Sequence, residues 1–375
     1  MRITFVAPVS QSGGSLVLDT YARLLAARGH RVVLVSPPTP STSRWIRFLG
    51  RRSRARSFTA HIDEAGVERR MLNRAREVVD DDVPDADVIV ATWWLTAEWV
   101  MQLGQGKGSK VYFIQGHEIY PWLPVERARQ TYRLPMRKIV ISRWLLDIMR
   151  IEYGDSAAEL IHNGVDHSLF CAPIRGKQRR PTVGLLYSGV SFKGFDRSLE
   201  VLHSIQQKLP NLRVLTFGFY RPTVALPSYV EFLEDPPRQS IANIYSSCDV
   251  WLTASSSEGF NMPAIEAMAC RTPVVASRTG WPAEALVNGF NGACVDIGDF
   301  NGLEAETQKL LDLPDLAWRV VSENAISSVR QFSWERATNL FEQALQRAAG
   351  HAKPFACDEE SVATLPIAPV HDASR

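Results

Sequence analysis

Features that would place the chain outside the cytosol are missing from its 375 residues. No stretch approaches the ~18 apolar residues that a helix needs to cross a bilayer. The apolar core of the first eight residues is too short for a signal peptide. The cysteines are few and scattered, with no Cys-x-x-Cys pair: Cys171, Cys248, Cys270, Cys294 and Cys357. We therefore expect reduced thiols, no zinc site and a cytoplasmic protein.

The net charge is also small, +2 for the whole chain, but it is distributed unevenly. Residues 41–76 carry ten arginines and three acids, a local charge of +7. Large apolar side chains lie among the arginines of residues 41–56, a mixture that suits an anionic membrane surface better than a nucleic-acid groove. The alternative is a solvated, mobile loop. We expect no nucleic-acid partner, and residues 41–56 are the predicted contact with a membrane.

Short apolar runs alternate with helical patterns along most of the chain. Residues 2–7 read as a strand, residues 16–27 as a helix and residues 30–36 as the next strand. The alternation restarts at Thr182, after a linker-like stretch rich in proline, glycine and basic residues. Since the chain exceeds the usual domain size of about 100–200 residues, we predict two doubly wound α/β domains.

The most informative stretch is residues 250–276. An apolar strand enters a turn, Pro263 stands in the first turn of an apolar helix, and a second strand begins at Val274. The free N–H groups and positive dipole end of such a helix attract an anion, and ligands bind beyond the carboxyl ends of parallel strands. The pattern therefore predicts an anion site at this turn.

Two carboxylates bracket the turn: Glu258 at the strand end and Glu266 about one turn into the helix. A carboxylate only accepts hydrogen bonds, so it suits paired hydroxyl groups better than a phosphate. We interpret one as a ligand for a ribose and the other as a ligand for a second sugar. The alternative is that Glu258 caps the helix and Glu266 is an exposed helix residue.

Three further turns follow predicted strands. Gly13 and Gly14 follow the first strand without the Gly-x-Gly-x-x-Gly spacing, so a plain tight turn is the alternative there. Gly189 and Lys193 follow the first strand of the second half. His117 follows a strand of the first half, where a structural histidine is the alternative.

Asp-x-Asp pairs occur within residues 80–87. Such pairs hold divalent cations when they follow a strand, but this stretch precedes one. We predict an acidic surface loop here and no metal site in the protein.

The stretch from Glu258 resembles the donor-site signature of glycosyltransferase family 4, a retaining family with the GT-B fold. The matching residues are Glu258, Glu266, the Ala-Met-Ala-Cys of residues 267–270 and the Pro-Val-Val of residues 273–275. Further similarity, including the Asn-Gly-Val-Asp of residues 163–166, extends the resemblance over residues 2–349. Two positions depart from the family: Arg271 replaces a usual glycine, and Val190 follows Gly189 where arginine is usual.

The resemblance implies a GT-B enzyme in which two Rossmann-like domains face each other across a cleft. Residues 1–172 would form the acceptor-side domain and residues 173–332 the nucleotide-sugar domain. Residues 333–349 would be a helix that crosses back to the first domain, and residues 350–375 a disordered tail.

The implied reaction moves a sugar from a nucleotide diphosphate-sugar to a hydroxyl of a glycan or lipid-linked acceptor, with retention of configuration. It uses no metal and no cofactor beyond the nucleotide-sugar co-substrate. The setting would be polysaccharide or glycolipid synthesis in the cytoplasm, with peripheral contact to the inner face of the membrane.

The resemblance also implies roles for individual residues. Glu258 would orient the donor sugar, His117 would hold it from the other domain, Lys193 would neutralise the diphosphate and Glu266 would bind the ribose. The remaining predicted donor-binding residues are Gly13, Gly14, Gly189, Gly259, Phe260, Asn261 and Met262. Two alternatives stay open: a GT-B sugar-nucleotide epimerase and a catalytically silent sugar-nucleotide binding module.

Overall fold

The computed structural model describes residues 1–9, 13–38 and 58–350, which form two halves, each built on one sheet. In the first half, the sheet has the order β3-β4-β2-β1-β5-β6-β7-β8 within these residues. The β3–β4 pair is antiparallel, and every other pair is parallel. The strands are β1 (Arg2–Val6), β2 (Arg31–Ser36), β3 (Phe58–Ile62), β4 (Glu68–Leu72), β5 (Val88–Ala91), β6 (Ser109–Ile114), β7 (Arg137–Val140) and β8 (Glu159–Leu160).

The second half has a parallel sheet with the order β11-β10-β9-β12-β13-β14. Its strands are β9 (Thr182–Leu186), β10 (Arg213–Gly218), β11 (Val230–Glu234), β12 (Val250–Thr253), β13 (Val274–Ser277) and β14 (Gly292–Val295). The central strands of both halves are apolar and buried along most of their length, as expected for parallel sheets covered on both faces.

Helices connect the strands of both halves. In the first half they are α1 (Gly13–Ala27), α2 (Trp94–Gln102), α3 (Val125–Thr131) and α4 (Arg143–Tyr153). In the second they are α5 (Phe195–Lys208), α6 (Arg238–Ser246), α7 (Met262–Ala269), α8 (Pro282–Ala285), α9 (Phe300–Asp312), α10 (Asp315–Val329) and α11 (Trp334–Ala348). The predicted architecture of two doubly wound α/β units is therefore confirmed.

The strand order reverses direction at one point in each sheet. In the first sheet β1 lies between β2 and β5, and in the second β9 lies between β10 and β12. At such a point the connecting helices leave to opposite faces and open a crevice beyond the carboxyl ends of the strands, where ligands of α/β proteins bind.

The helix α11 packs against the first half of the chain. Its Phe341 ring lies 4.4 Å from the ring of Tyr21 and 5.0 Å from that of Phe113. Glu342 accepts a hydrogen bond from Arg28 at 2.8 Å. The apolar face of an amphipathic helix is thereby buried on the first sheet's helices and strands.

Gly164 lies where the end of the first half meets the start of α11. A Cβ atom there would overlap the backbone of Ser333 and Trp334, and Val165 donates from its backbone N–H to the carbonyl of Phe332 at 3.0 Å. The glycine thus permits a close backbone approach. The predicted boundaries at residues 172 and 332 stay a prediction, and residues 351–375 of the predicted tail lie outside the described part of the chain.

Some local expectations were wrong. Helix α1 begins at Gly13, three residues before the predicted start, so Gly13 and Gly14 belong to its first turn. The second part of the arginine-rich stretch forms β3 and β4, an antiparallel pair at the sheet edge, where a loop was one of the expectations. The predicted contact at residues 41–56 lies outside the described residues.

Ion pairs neutralise part of the charge in the arginine-rich stretch and in the acidic stretch that follows it. Arg69 bonds Asp63 at 2.7 Å, so it is partly neutralised by a neighbouring acid. Asp82, expected on the surface of an acidic loop, is fully buried against the guanidinium of Arg76. Asp87 pairs with Arg2 at 2.8 Å. Asp82 and Asp87 therefore hold the loop before β5 in place, whereas Asp80, Asp81 and Asp85 are exposed, as expected for an acidic surface loop.

Candidate functional site

Lys193 and Glu258 meet at the crevice of the second half. Lys193 Nζ donates to Glu258 Oε2 at 2.6 Å, and Ser255 Oγ donates to Glu258 Oε1 at 2.8 Å. The Glu258 side chain is 7% exposed, whereas that of Lys193 is 33% exposed. The buried carboxylate of Glu258 is therefore fixed by two hydrogen bonds, and the ammonium group of Lys193 remains accessible to an anion.

Local structure explains how Lys193 reaches this position. It ends a single 3₁₀ turn, Ser191–Lys193, that follows β9, and Gly194 then adopts a left-handed conformation with φ 69°. A Cβ atom on Gly194 would overlap the carbonyl group of Ala254. Glycine is thus required both for the backbone angle and for the close approach of this turn to the end of β12.

Asn261 forms the entry to α7. Its backbone is left-handed, with φ 79°, and its side chain accepts a hydrogen bond from the N–H of Ala264 at 3.3 Å. Asparagine tolerates this conformation and satisfies one of the free N–H groups of the first turn. Phe260 and Met262 flank it, so the predicted anion-binding turn lies at the N-terminus of α7.

Gly259 brings this turn against the first half of the chain. A Cβ atom at Gly259 would overlap the carbonyl oxygen of Gln115, and it would lie 3.3 Å from the Cα of Gly116. Gln115 and Gly116 directly follow β6 and precede His117. The two halves therefore touch at the position where the sequence placed its candidate residues, and only a glycine fits.

Glu266 lies on α7 and faces α6. Its Oε2 accepts a hydrogen bond from the Tyr245 hydroxyl at 2.8 Å. Burial raises the pKa of Glu266 to about 7, an effect that this hydrogen bond and the charge of Arg238 oppose. The alternative of an ordinary exposed helix residue is wrong, because Glu266 is half-buried and its carboxylate accepts a hydrogen bond from the buried Tyr245.

His117 faces the crevice from the first half. Its Nε2 and the Tyr153 hydroxyl are hydrogen-bonded at 2.7 Å, and Glu152 lies 3.9 Å away. Burial lowers the pKa of His117, and the charge of Glu152 partly opposes this shift. The imidazole is therefore neutral near pH 7, with one ring nitrogen fixed by Tyr153.

The other predicted glycines have different surroundings. Gly14 lies beside Gln115, whose Oε1 would be 3.4 Å from a Cβ atom at that position. Among the described residues, Gly13 has no neighbour within 4 Å of such an atom, and at Gly189 the nearest described atom, the Tyr187 hydroxyl, would be 3.9 Å away. Gly14 thus adjoins the contact between the halves, whereas Gly13 and Gly189 leave open space.

Several residues of the site were not predicted from the sequence. Tyr120 and Trp122, which follow His117, stack with Phe192, which precedes Lys193. Tyr153 and Tyr245 hold His117 and Glu266. The aromatic residues close to His117 and Lys193 were a usable signal, but the two tyrosines are distant in sequence and gave none.

Glu118, which follows His117, was not among the predicted site residues. Burial raises its pKa to about 8, although it accepts a hydrogen bond from the N–H of Trp94 at 2.8 Å. Its own N–H donates to the Tyr132 hydroxyl at 2.8 Å. Glu118 therefore caps α2 and fixes the backbone next to His117.

Within residues 1–9, 13–38 and 58–350, no three His, Cys, Asp or Glu side chains are grouped as a metal site. The same residues contain no helix long and apolar enough to span a membrane. The cysteines among them are unpaired thiols. Cys357 lies outside the described residues.

Comparison with known sequences identifies both halves. The family model described as Glycosyltransferase Family 4 matches residues 11–169, and the model described as Glycosyl transferases group 1 matches residues 177–327. The chain is 29% identical over 227 residues to the D-inositol 3-phosphate glycosyltransferase of Mycolicibacterium smegmatis, which is 54% of this chain and 51% of that protein. The chain thus spans about half the length of the curated relatives that it matches.

Solved structures extend the likeness to the whole fold. Sucrose-phosphate synthase from Thermosynechococcus elongatus superposes with a TM-score of 0.74 at 18% identity, over 94% of this chain and 100% of that one. Anabaena HepE in complex with UDP-glucose superposes with a TM-score of 0.68 at 16% identity, over 92% and 100%. Since both halves match and nearly the whole architecture is shared, the chain belongs to glycosyltransferase family 4 and has the GT-B fold.

Proposed function

We propose that the protein transfers a sugar from a nucleotide diphosphate-sugar to an acceptor hydroxyl, with retention of configuration at the anomeric carbon. The observation that carries this proposal is the Lys193–Glu258 pair beside the N-terminus of α7. A cation and helix N–H groups suit a diphosphate, and an adjacent carboxylate suits a sugar hydroxyl. Their position at the strand-order reversal of the second sheet supports the same assignment.

In the proposed reaction the acceptor oxygen forms a bond to the anomeric carbon as the bond from that carbon to the diphosphate breaks. The electron pair of the broken bond goes to the diphosphate, and the acceptor's proton goes to a phosphate oxygen on the same face of the sugar. Lys193 and the N–H groups of residues 260–262 stabilise the developing charge. No side-chain base is required, and no metal is invoked.

The remaining roles follow from chemistry and position. Glu258 accepts hydrogen bonds from the donor sugar and stabilises positive charge at the anomeric carbon. His117, held by Tyr153 and neutral near pH 7, bonds a sugar hydroxyl from the opposite half. Glu266 accepts ribose hydroxyls, in agreement with the fixed orientation that Tyr245 gives its carboxylate.

Donor hydrolysis is the direct test. HepE was solved in complex with UDP-glucose, so UDP-glucose is the first donor to examine for hydrolysis. Thermal-shift measurements with UDP, GDP, ADP and dTDP then identify the preferred nucleotide, because a bound ligand stabilises the folded protein by mass action. We expect slow release of glucose with the α configuration in early proton NMR spectra. Release of β-glucose first would overturn retention, and no binding of any nucleotide would overturn the donor assignment.

We further propose that the acceptor is a glycan or lipid-linked hydroxyl presented at an anionic membrane. Residues 41–56 support this through six arginines beside Trp45 and Phe48. Each arginine near such a surface contributes about 1 kcal/mol. Co-sedimentation with phosphatidylglycerol vesicles at low salt tests it: wild type should sediment, and a chain with those arginines changed to glutamine should not. Wild type that stays in the supernatant would point to a non-membrane acceptor.

A further inference from the structure

A cavity of about 430 Å³ opens between the two halves beside His117. The first half contributes the loop between β6 and α3, and the second contributes the turns after β9 and β12. Its volume is in the range of small-molecule sites, about 300–1,000 Å³. Because residues from both halves line it, its shape depends on how the halves meet.

Aromatic rings dominate the wall of this cavity. The rings of Trp122 and Phe192 lie 4.9 and 4.7 Å from the ring of Tyr120, and each is within 7° of parallel to it. Trp122 and Phe192 are 6.2 Å apart and 11° from parallel. Rings on opposite faces of Tyr120 would be at least about 7 Å apart, since carbon atoms stack no closer than about 3.5 Å. Trp122 and Phe192 therefore lie side by side on one face of Tyr120.

This arrangement produces a flat apolar surface that is open to solvent. Trp122 is 57% exposed, which is unusual for so large an apolar side chain. Trp144 lines the same cavity. A flat aromatic surface of this kind matches the C–H face of a pyranose ring, which is the apolar side of an otherwise hydroxylated molecule.

The polar part of the lining carries no permanent charge. Ser191, Ser256 and Ser257 contribute hydroxyl or backbone groups, and His117 is the only titratable imidazole among the described lining residues. None of those residues is Lys, Arg, Asp or Glu. Lys193 Nζ lies 5.5 Å from the centre of the Phe192 ring, but it is paired with Glu258 and is proposed to receive the donor diphosphate. A phosphorylated acceptor would find no further cation in the lining, whereas the hydroxyls of a neutral sugar find partners that donate and accept.

The cavity adjoins the Lys193–Glu258 pair without containing it. Phe192 directly precedes Lys193, and Ser257 directly precedes Glu258, but neither charged side chain lines the cavity. Glu258 is directed at Lys193 and Ser255 instead. His117, which is proposed to bond the donor sugar, lines the cavity, so that sugar would reach the edge of the cavity, and the wall formed by Trp122 and Phe192 is left for a second ring.

We propose that this cavity is an acceptor subsite that binds an uncharged sugar ring, stacked on the surface formed by Trp122 and Phe192. The proposal rests on the proposed transferase function and adds the chemical class of the acceptor. It distinguishes this chain from relatives whose name gives D-inositol 3-phosphate as the substrate. Because Phe192 and Lys193 are adjacent, the acceptor ring and the diphosphate are positioned by a single turn.

Saturation-transfer NMR tests the binding directly. In the presence of UDP, maltose, cellobiose and lactose serve as neutral probes and D-inositol 3-phosphate as the charged one. We expect transfer from protein aromatic protons to the ring C–H protons of at least one neutral sugar, and loss of that transfer in Trp122→Ala. No contact with any neutral sugar, or stronger binding of the inositol phosphate, would overturn the proposal.

Steady-state kinetics distinguish an acceptor subsite from an aromatic latch, by which we mean a contact that only holds the two halves together. With UDP-glucose as donor and the NMR-positive sugar as acceptor, Trp122→Ala should raise the acceptor KM about tenfold, the loss expected for one stacking contact, and change the donor KM much less. Trp122→Phe should recover most of the acceptor affinity. Phe290→Ala, which removes an exposed ring at the amino-terminal end of β14, is the matched control.

The outcomes also separate this inference from the function on which it rests. Equal rises in donor and acceptor KM in Trp122→Ala would identify a latch and overturn the subsite. Donor hydrolysis by wild type without any effect of the neutral sugars would overturn the subsite and leave the proposed function standing. Absence of donor binding to wild-type protein would overturn the proposed transferase function itself.

Discussion

Lys193 Nζ donates a hydrogen bond to Glu258 Oε2 at 2.6 Å, although 65 residues separate the two along the chain. They meet because β9 and β12 are neighbours in the second sheet, so the turns that follow these strands lie side by side. The buried carboxylate depends on this cation, since an unpaired buried charge is costly. The same cation is the group proposed to receive the diphosphate.

Lys193→Ala should therefore affect both binding and stability. We expect UDP affinity to fall about 10- to 100-fold, the effect of losing a hydrogen bond to a charged group. Stability should fall by about 1–3 kcal/mol, because Glu258 loses a partner. Calorimetry and thermal unfolding measure the two effects.

The double variant Lys193→Ala/Glu258→Gln separates these effects. It should recover much of the lost stability, because the buried charge is gone, without recovering UDP affinity. Lys208→Ala, which removes an exposed lysine paired with Glu304, is the control and should change neither property. Normal UDP affinity in Lys193→Ala would contradict the diphosphate assignment.

Glu258→Gln and His117→Ala should reduce turnover much more than nucleotide binding. Both residues are proposed to contact the donor sugar and not the nucleoside, so each should cost about 10²-fold or more in kcat if it acts on the transition state. Steady-state kinetics with UDP-glucose and calorimetry with UDP make the comparison. Equal losses in turnover and in UDP affinity would show that the residues are wrongly assigned.

Donor affinity should depend on the ionisation of Glu266. Burial raises its pKa to about 7, so the carboxyl group is mostly protonated at pH 6 and mostly ionised at pH 8. Because ribose hydroxyls bind the ionised form better, affinity for UDP-glucose should rise by up to about tenfold over this range. Calorimetry with UDP-glucose avoids the titration of a terminal phosphate.

In Glu266→Gln the affinity should be lower and independent of pH over the same range. Glu304→Gln, at an exposed pair with Lys208, is a control that should keep the wild-type profile. A wild-type pH profile in Glu266→Gln would exclude the ribose role.

Gly259→Ala tests the contact between the halves. The added Cβ would overlap the Gln115 carbonyl oxygen, so the turn that carries Glu258 must move away from the strand end that carries His117. A misplacement of about 1 Å can reduce turnover about 10²-fold. Gly106→Ala is the control, because its Cβ would be 3.6 Å from the nearest atom, an ordinary contact. Wild-type kcat/KM in Gly259→Ala would show that the contact is not needed for catalysis.

The sequence by itself determined the α/β architecture and the donor-site stretch. Apolar strands, glycine-containing turns and helix starts are local patterns, so β12 and the start of α7 were predicted to within a few residues. The spacing of Glu258 and Glu266 is local too, and it carried the family resemblance that the comparisons confirm. Local patterns failed at the start of α1, where Gly13 and Gly14 were placed before the helix, and at β3 and β4, which were not predicted.

Only the tertiary structure decided which of these residues act together. The adjacency of β9 and β12 pairs Lys193 with Glu258, and the contact of Gly259 with Gln115 brings His117 to the same crevice. The stacking of Phe192 on Tyr120 joins two loops that the sequence gives no reason to connect. Strand order, close backbone approach and burial are properties of chain segments far apart in sequence, and burial is what raises the pKa of Glu266.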